Sequence, residues 1–97
     1  MIVAELSIFP TSEGASVSKY VKETIKAIKA SGLYYVIGGM STTIEAPDME
    51  ALLEVIKKAH EAIAKMGVKR IHLDLKVDHR FNKEATVVSK LKSLREK

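Results

Sequence analysis

The sequence predicts an α+β domain, a ferredoxin-like βαββαβ sandwich with an additional C-terminal helix. Three observations carry the prediction. The hydropathy period switches between two and 3.6 residues in the order β-α-β-β-α-β-α. The pair Gly38-Gly39 joins the two middle strands closely enough for a tight hairpin. Each half has a strand–helix–strand outline, and two right-handed crossovers around a central hairpin give one antiparallel sheet with both long helices on one face. At 97 residues the chain is one domain, residues 1–97.

Each element has its own signal. Residues 2–9 alternate, with Ile2, Ala4, Leu6 and Ile8 to one side and Val3, Glu5, Ser7 and Phe9 to the other. Pro10 ends this strand, and Thr11-Ser12-Glu13-Gly14 has turn composition. Ser16 is placed to cap a helix whose apolar groups are Val17, Tyr20, Val21, Ile25 and Ile28, with Gly32 as its left-handed stop. Residues 33–37 and 40–46 read as the hairpin strands, Gly38-Gly39 supplying positive φ between them. Pro47 and Asp48 open a second helix with the stripe Met49, Leu52, Leu53, Ile56, Ala59, Ile63 and Met66, stopped by Gly67. His60, four residues after Ile56, is expected to be packed and hydrogen-bonded on that stripe. Residues 70–77 alternate cleanly, with Ile71, Leu73, Leu75 and Val77 opposite Arg70, His72, Asp74 and Lys76. Asn82 then caps a last helix carrying Val87, Val88, Leu91 and Leu94, a second oligomer contact or a lid on the sheet. Asp78 and Arg80 are expected to pair and hold the turn into it.

Composition narrows the function. The apolar fraction of 46% and charged fraction of 29% are those of a soluble globular protein. No apolar run approaches the roughly 20 residues of a membrane span. Met1-Ile2-Val3-Ala4 runs into Glu5 without a basic-then-apolar leader, so a cytoplasmic protein is expected, with no membrane partner. The absence of cysteine removes disulfide frameworks, cysteine-based metal centres and thiol nucleophiles. The absence of glutamine, with a single asparagine and abundant Lys and Glu, is a bias associated with thermophiles. The net charge of +4 is spread along predicted helices with Glu interleaved, which reads as solvated helix faces.

Catalysis finds little footing. Gly38-Gly39 is not followed by the Lys-Ser/Thr of a phosphate loop, and His60, His72 and His79 fall on different elements. Ser7 has no evident base, so no enzyme activity, no metal and no cofactor are expected. RNA-recognition domains share this topology but stack bases on aromatics of the third strand, which here reads Met40-Ser41-Thr42-Thr43-Ile44-Glu45. No nucleic-acid partner is expected. Helices on one face leave the other carrying Glu5, Ser7, Phe9, Ser41, Thr43, Glu45, His72, Asp74 and Lys76. That face is too charged for a second core and can bind either a ligand or another copy of the chain.

The stretch Gly39-Met40-Ser41-Thr42-Thr43-Ile44-Glu45-Ala46, preceded by the tyrosine-rich strand, resembles the Pro-Met-Gly-Thr-x-Ile-Glu-Gly pattern of the small thiamine-binding protein family. The likeness extends along nearly the whole chain. Ser7-Ile8-Phe9-Pro10 with Gly14-Ala15-Ser16-Val17-Ser18-Lys19-Tyr20-Val21 resembles that family's first strand, loop and helix start. His60-Glu61, Gly67-Val68-Lys69-Arg70-Ile71 and Lys76-Val77-Asp78-His79-Arg80 resemble its later blocks. Met40, Thr42 and Glu45 match the pattern, while Gly39 and Ser41 replace its Pro and Gly.

The resemblance implies non-catalytic binding of thiamine or a related aminopyrimidine by a homo-oligomer, a homodimer assembled further into a dimer of dimers. The chemistry of the stretch fits such a ligand. Glu45 can accept from the amino group or offset the thiazolium charge. Thr42, Thr43 and Ser7 can hydrogen-bond ring nitrogens or the hydroxyl. Tyr34, Tyr35 or Phe9 can offer an aromatic face. Pro10 and Ser18 bound the loop expected to complete a site near a subunit boundary. In a regular strand Thr42 and Glu45 face opposite sides, so a shared ligand requires a bulge or a Thr42 acting from the hairpin end. Thr42 and Thr43 also fit as plain β-formers with Glu45 as an edge charge, in which case the polar face is only an assembly surface of a structural or regulatory oligomer.

Overall fold

The computed structural model describes residues 1–14, 17–82 and 85–95, with residue 95 alone described by its backbone only. In order it contains β1 (Ile2–Pro10), α1 (Ser18–Ala30), β2 (Tyr35–Ile37), β3 (Thr42–Ala46), α2 (Met49–Ala64), β4 (Ile71–His79) and α3 (Val87–Arg95). The four strands form one antiparallel sheet in the order β2-β3-β1-β4. This is the ferredoxin-like arrangement expected from the chain order.

Strand alternation sends Ile2, Ala4, Leu6 and Ile8 of β1 and Ile44 and Ala46 of β3 toward the helices. There they meet Tyr20 and Ile28 of α1 and Leu52, Val55, Ala59 and Ile63 of α2. The Asp48 carboxylate accepts from the Ala51 backbone N–H at 2.7 Å, which caps α2. Ser16, the residue expected to cap α1, lies outside the described residues; Val17 occupies the cap position and offers no side-chain acceptor.

Several expectations are corrected. His60 is exposed, because the buried stripe of α2 is the narrower set Leu52, Val55, Ile56, Ala59 and Ile63, and His60 is rotated past its edge. The hairpin strands are shorter than their apolar runs, covering Tyr35–Ile37 and Thr42–Ala46. Gly38 and Gly39 do not take positive φ. The Gly38 N–H donates to the Ser41 carbonyl at 2.8 Å, and a Cβ at Gly38 would sit 2.9 Å from that oxygen. Glycine is required there for space. Gly32 and Gly67 do end their helices with φ of 77° and 80°.

The backbone alternation in the sheet follows from two hydrogen bonds. The Thr11 N–H donates to the Arg70 carbonyl at 2.9 Å, and the Glu45 N–H to the Tyr34 carbonyl at 2.9 Å. With the continuous registers, odd-numbered residues of β1 therefore bond β4, and even-numbered ones face β3. In β4 the even-numbered residues face β1, and the odd-numbered ones direct their N–H and C=O groups to the free edge of the sheet.

Candidate functional site

The face of the sheet away from α1 and α2 carries the side chains expected there. Phe9 stands opposite His72, Ser7 opposite Asp74 and Glu5 opposite Lys76, with Thr43 and Glu45 on the β3 side of β1. The Phe9 and His72 rings are 5.3 Å apart. Toward one end this face is covered. Val3 and Glu45 are buried on it, as are Ala85 and Val87 of the segment entering α3.

Local chemistry fixes that segment. Thr86 caps α3, and Asn82, five residues upstream of the first helical turn, does not. The Thr86 Oγ1 accepts from the Ser89 N–H at 3.0 Å, and the Ser89 Oγ accepts from the Thr86 N–H at 2.8 Å. This reciprocal pair is a capping box with serine in the second role. One further free N–H of the first turn, that of Val87, donates to Glu45 Oε1 at 2.6 Å. A carboxylate at a helix N-terminus also complements the helix dipole. Glu45 is thus an anchor for α3. Val88, Leu91 and Leu94 of α3 remain exposed, so only the start of this helix lies against the sheet.

A second tie joins Asp78 of β4 to Lys90 of α3. It replaces the expected Asp78–Arg80 pair. The hydrogen bond from Lys90 holds the Asp78 carboxyl below the ordinary aspartate value, against desolvation, which raises it, and with the positive charges of Lys90 and Arg80 adding to the lowering. A depressed folded-state value means that the contact is present above the ordinary aspartate range and is lost as pH falls through the lowered value. An NMR titration of Asp78 is expected to show a midpoint below that of a free aspartate, returning toward it in Lys90→Ala.

A different feature lies at the other end of β3. The β1–β3 register stops at Leu6↔Thr42, while β1 continues to Pro10. The even-numbered Ile8 therefore presents its backbone to a notch in the sheet, and Pro10, which has no N–H to leave unpaired, occupies the next such position. The hairpin loop and α1 wall this notch into a cavity of about 280 Å³, lined by Ser7, Phe9, Val17, Val21, Thr24, Met40, Ser41 and Thr42 among others. Thr42 is 8% exposed, and its hydroxyl makes no hydrogen bond with another described residue.

The residues singled out in the sequence are divided by this geometry. Ser7, Phe9 and Thr42 all line the notch cavity, Ser7 and Phe9 from the open-face side of the sheet and Thr42 from the helix side. Thr43 lies on the open face beside Glu5, Lys76 and Asp78, in a shallow groove of about 400 Å³. Glu45 and Thr42 face opposite sides of a regular strand, with no bulge to unite them. Tyr35 is turned to the helix side and packs against the core, so it offers no aromatic face to a ligand on the open side. Pro10 is fully buried opposite Ile71, and Ser18 is exposed at the start of α1 without lining the cavity.

Thr24, Val17 and Val21 were not apparent as site residues. Tyr20, Thr24 and Ile28 form the buried ridge of α1, and Val21 lies beside it. Thr24 can sit there because its hydroxyl donates to the Tyr20 carbonyl at 3.2 Å. A hydroxyl residue four after Tyr20 and four before Ile28 was the available signal. A larger groove, about 750 Å³, runs between α1 and α2 over Ala27, Ala30, Ala51 and Ala62. It is rimmed by solvated Glu and Lys and contains none of the expected site residues. Among the described residues no helix is long and apolar enough to cross a membrane.

Comparison with known proteins agrees with this architecture. A UPF0045 protein of Methanothermobacter thermautotrophicus is 38% identical over 98 residues, covering 100% of this chain and 99% of that protein. The UPF0045 protein MJ1052 of Methanocaldococcus jannaschii is 41% identical, covering 98% of this chain and 93% of its own. A crystal structure of MJ1052 matches with a TM-score of 0.90 over 98% of this chain and 96% of that one. A Thermotoga maritima protein with a proposed role in thiamine biosynthesis or salvage shares the fold at 21% identity, with a TM-score of 0.83 over 97% of this chain and 98% of that one. The profile described as "Thiamine-binding protein" matches residues 4–95. With nearly the whole chain matched, this protein belongs to the thiamine-binding protein family.

Proposed function

We propose that this chain binds thiamine or a related aminopyrimidine without transforming it, as a homo-oligomer, with the ligand in the notch cavity beside β1. The observation that carries this placement is Thr42, a largely buried residue whose hydroxyl bonds no other described residue and which lines a cavity that Ser7 and Phe9 also line. Among the described residues no buried side-chain oxygen lacks a partner, so this hydroxyl is open to the cavity and available to a polar ligand there. Ile8 backbone groups at the notch add a donor and an acceptor for an aminopyrimidine edge. Apolar Val17, Val21 and Met40 suit the flat rings. At about 280 Å³ the cavity is at the small end for ligand sites, which fits a ligand of two small rings. Membership of the family supports the choice of ligand.

Calorimetric titration with thiamine tests the reading. Saturable heat is expected, and Thr42→Val, which keeps the shape and removes the hydroxyl, is expected to weaken binding by about 0.5–1.5 kcal/mol. No heat and no thermal stabilisation at millimolar thiamine would leave the sheet as an assembly surface alone. Equal affinity in wild type and Thr42→Val would move the ligand away from the notch.

A further inference from the structure

We propose that Thr24 is a specificity-determining residue of the notch cavity. Its hydroxyl oxygen, held as an acceptor, selects a pyrimidine that carries an exocyclic amino group over one that carries an oxo group at the same position. This rests on the ligand site proposed above and adds which edge of the ring is read there, and by what group.

Charge cannot make that choice. None of the described residues that line the cavity is charged. Recognition there falls to hydrogen bonds, whose direction matters. The hydroxyls of Ser7, Ser41 and Thr42 bond no other described residue. A free hydroxyl donates or accepts as its neighbour requires, so these three tolerate either ring.

Thr24 differs. Its hydroxyl donates to the Tyr20 carbonyl at 3.2 Å, one turn back on α1. A carbonyl only accepts, so the hydroxyl proton is committed to that bond. What Thr24 has left to offer the cavity is oxygen lone pairs. No described N–H or O–H donates to them. The residue is 4% exposed, in the middle of the buried ridge Tyr20, Thr24 and Ile28, which shields the oxygen from bulk water. The bond to Tyr20 also holds a stiff β-branched side chain in one rotamer, so the acceptor is fixed before a ligand arrives.

The two rings present opposite edges to it. An aminopyrimidine carries an N–H donor beside a ring-nitrogen acceptor. Its oxo counterpart carries an oxygen acceptor beside a ring N–H. The amino group can donate to Thr24 with the Tyr20 bond intact. The oxo group meets lone pair with lone pair, unless the Thr24 proton turns away from Tyr20, and that forfeits a hydrogen bond. The Ile8 backbone at the notch supplies one donor and one acceptor side by side, which serve either edge. Discrimination is left to Thr24.

Thiamine and oxythiamine are the probes. Oxythiamine has an oxo group in place of the pyrimidine amino group and keeps the thiazolium charge, so the pair differs at that edge alone. Calorimetric titration of the wild type is expected to favour thiamine by about three- to tenfold, the worth of one hydrogen bond. Thr24→Val keeps the shape and removes the oxygen. It is expected to weaken thiamine by a similar factor and to leave oxythiamine within about twofold. Thr24→Ser retains the oxygen and is expected to retain the preference. Loosened packing would weaken both ligands alike, so the ratio reports the oxygen and not the fold, and the wild-type ratio needs no variant to fold. Thiamine binding with oxythiamine equal or tighter would overturn the selection. Both ligands weakened alike in Thr24→Val, or a ratio unchanged from wild type, would overturn the assignment to Thr24. Either result leaves the thiamine site standing. Binding of neither ligand by the wild type would overturn the site itself, and this inference with it.

Discussion

Glu45→Ala is expected to lower the unfolding free energy by about 1–3 kcal/mol, the range for removing an acceptor from a buried donor. The donor is the Val87 N–H, 42 positions away in sequence, and Glu45 itself is 8% exposed. Alanine removes the carboxylate and leaves that N–H without its acceptor at the start of α3. For a domain of this size each kcal/mol is about 4–8 °C in melting temperature. Glu45→Gln keeps an oxygen in place and is expected to lose less. Hydrogen exchange at Val87 should quicken in Glu45→Ala, while exchange in α2 changes only with global stability. The same variants separate the two candidate ligand positions. With thiamine in the notch, Glu45→Gln leaves its affinity within about threefold, because the carboxylate is on the other face of β3. A loss of about 1.5–3 kcal/mol in binding would place the ligand on the open face, against Glu45.

Leu52→Ala is expected to cost about 2–5 kcal/mol, the largest effect of a single truncation argued for this chain. Leu52 is fully buried in the cluster shared by β1, β3, α1 and α2. Its removal loses the transfer free energy of the side chain and leaves a cavity that rigid neighbours cannot fill. Domains of this kind are stable by only about 5–15 kcal/mol, so the variant stands near the margin of folding. Leu53→Ala is the matched control. Leu53 is the next residue on the same helix and is 51% exposed. Its truncation should cost less than about 1 kcal/mol. Urea denaturation of the two variants, with the slope held in common, gives both values. Equal losses would mean that Leu53 is buried in the assembled protein.

These two leucines also show how far the sequence could be read. Both belong to the apolar stripe of the second helix, and hydropathy treats them alike. Only the angle at which α2 lies on the sheet decides that Leu52 points into the core and Leu53 out of it. His60 is exposed for the same reason: a stripe read from the chain is wider than the strip that a flat sheet covers. Thr24 was overlooked because a threonine that donates to its own helix packs like an apolar residue, and its composition does not say so.

The strands were legible where one face is apolar and the other polar. Period-two alternation in β1 and β4 identified which side chains share the open face, because that property is local to each strand. The order of elements, with a short link between the middle strands, was enough for the topology, since handed crossovers leave few alternatives. Family membership was legible as well, through the spacing of short blocks along the whole chain.

What the sequence determined by itself is therefore the set of elements, their order and the faces of the long strands, all of which follow from short-range periodicity and chirality. Tertiary structure alone decided that β3 stops at Thr42 while β1 runs on to Pro10, which opens the notch and separates Thr42 from Glu45. It also decided that Glu45 anchors Val87 and that Lys90, not Arg80, takes Asp78. These are contacts between residues remote in sequence. They depend on where each strand ends in the sheet and on the path of the connecting chain, which hydropathy does not encode because it records how each residue partitions and not which partner it meets.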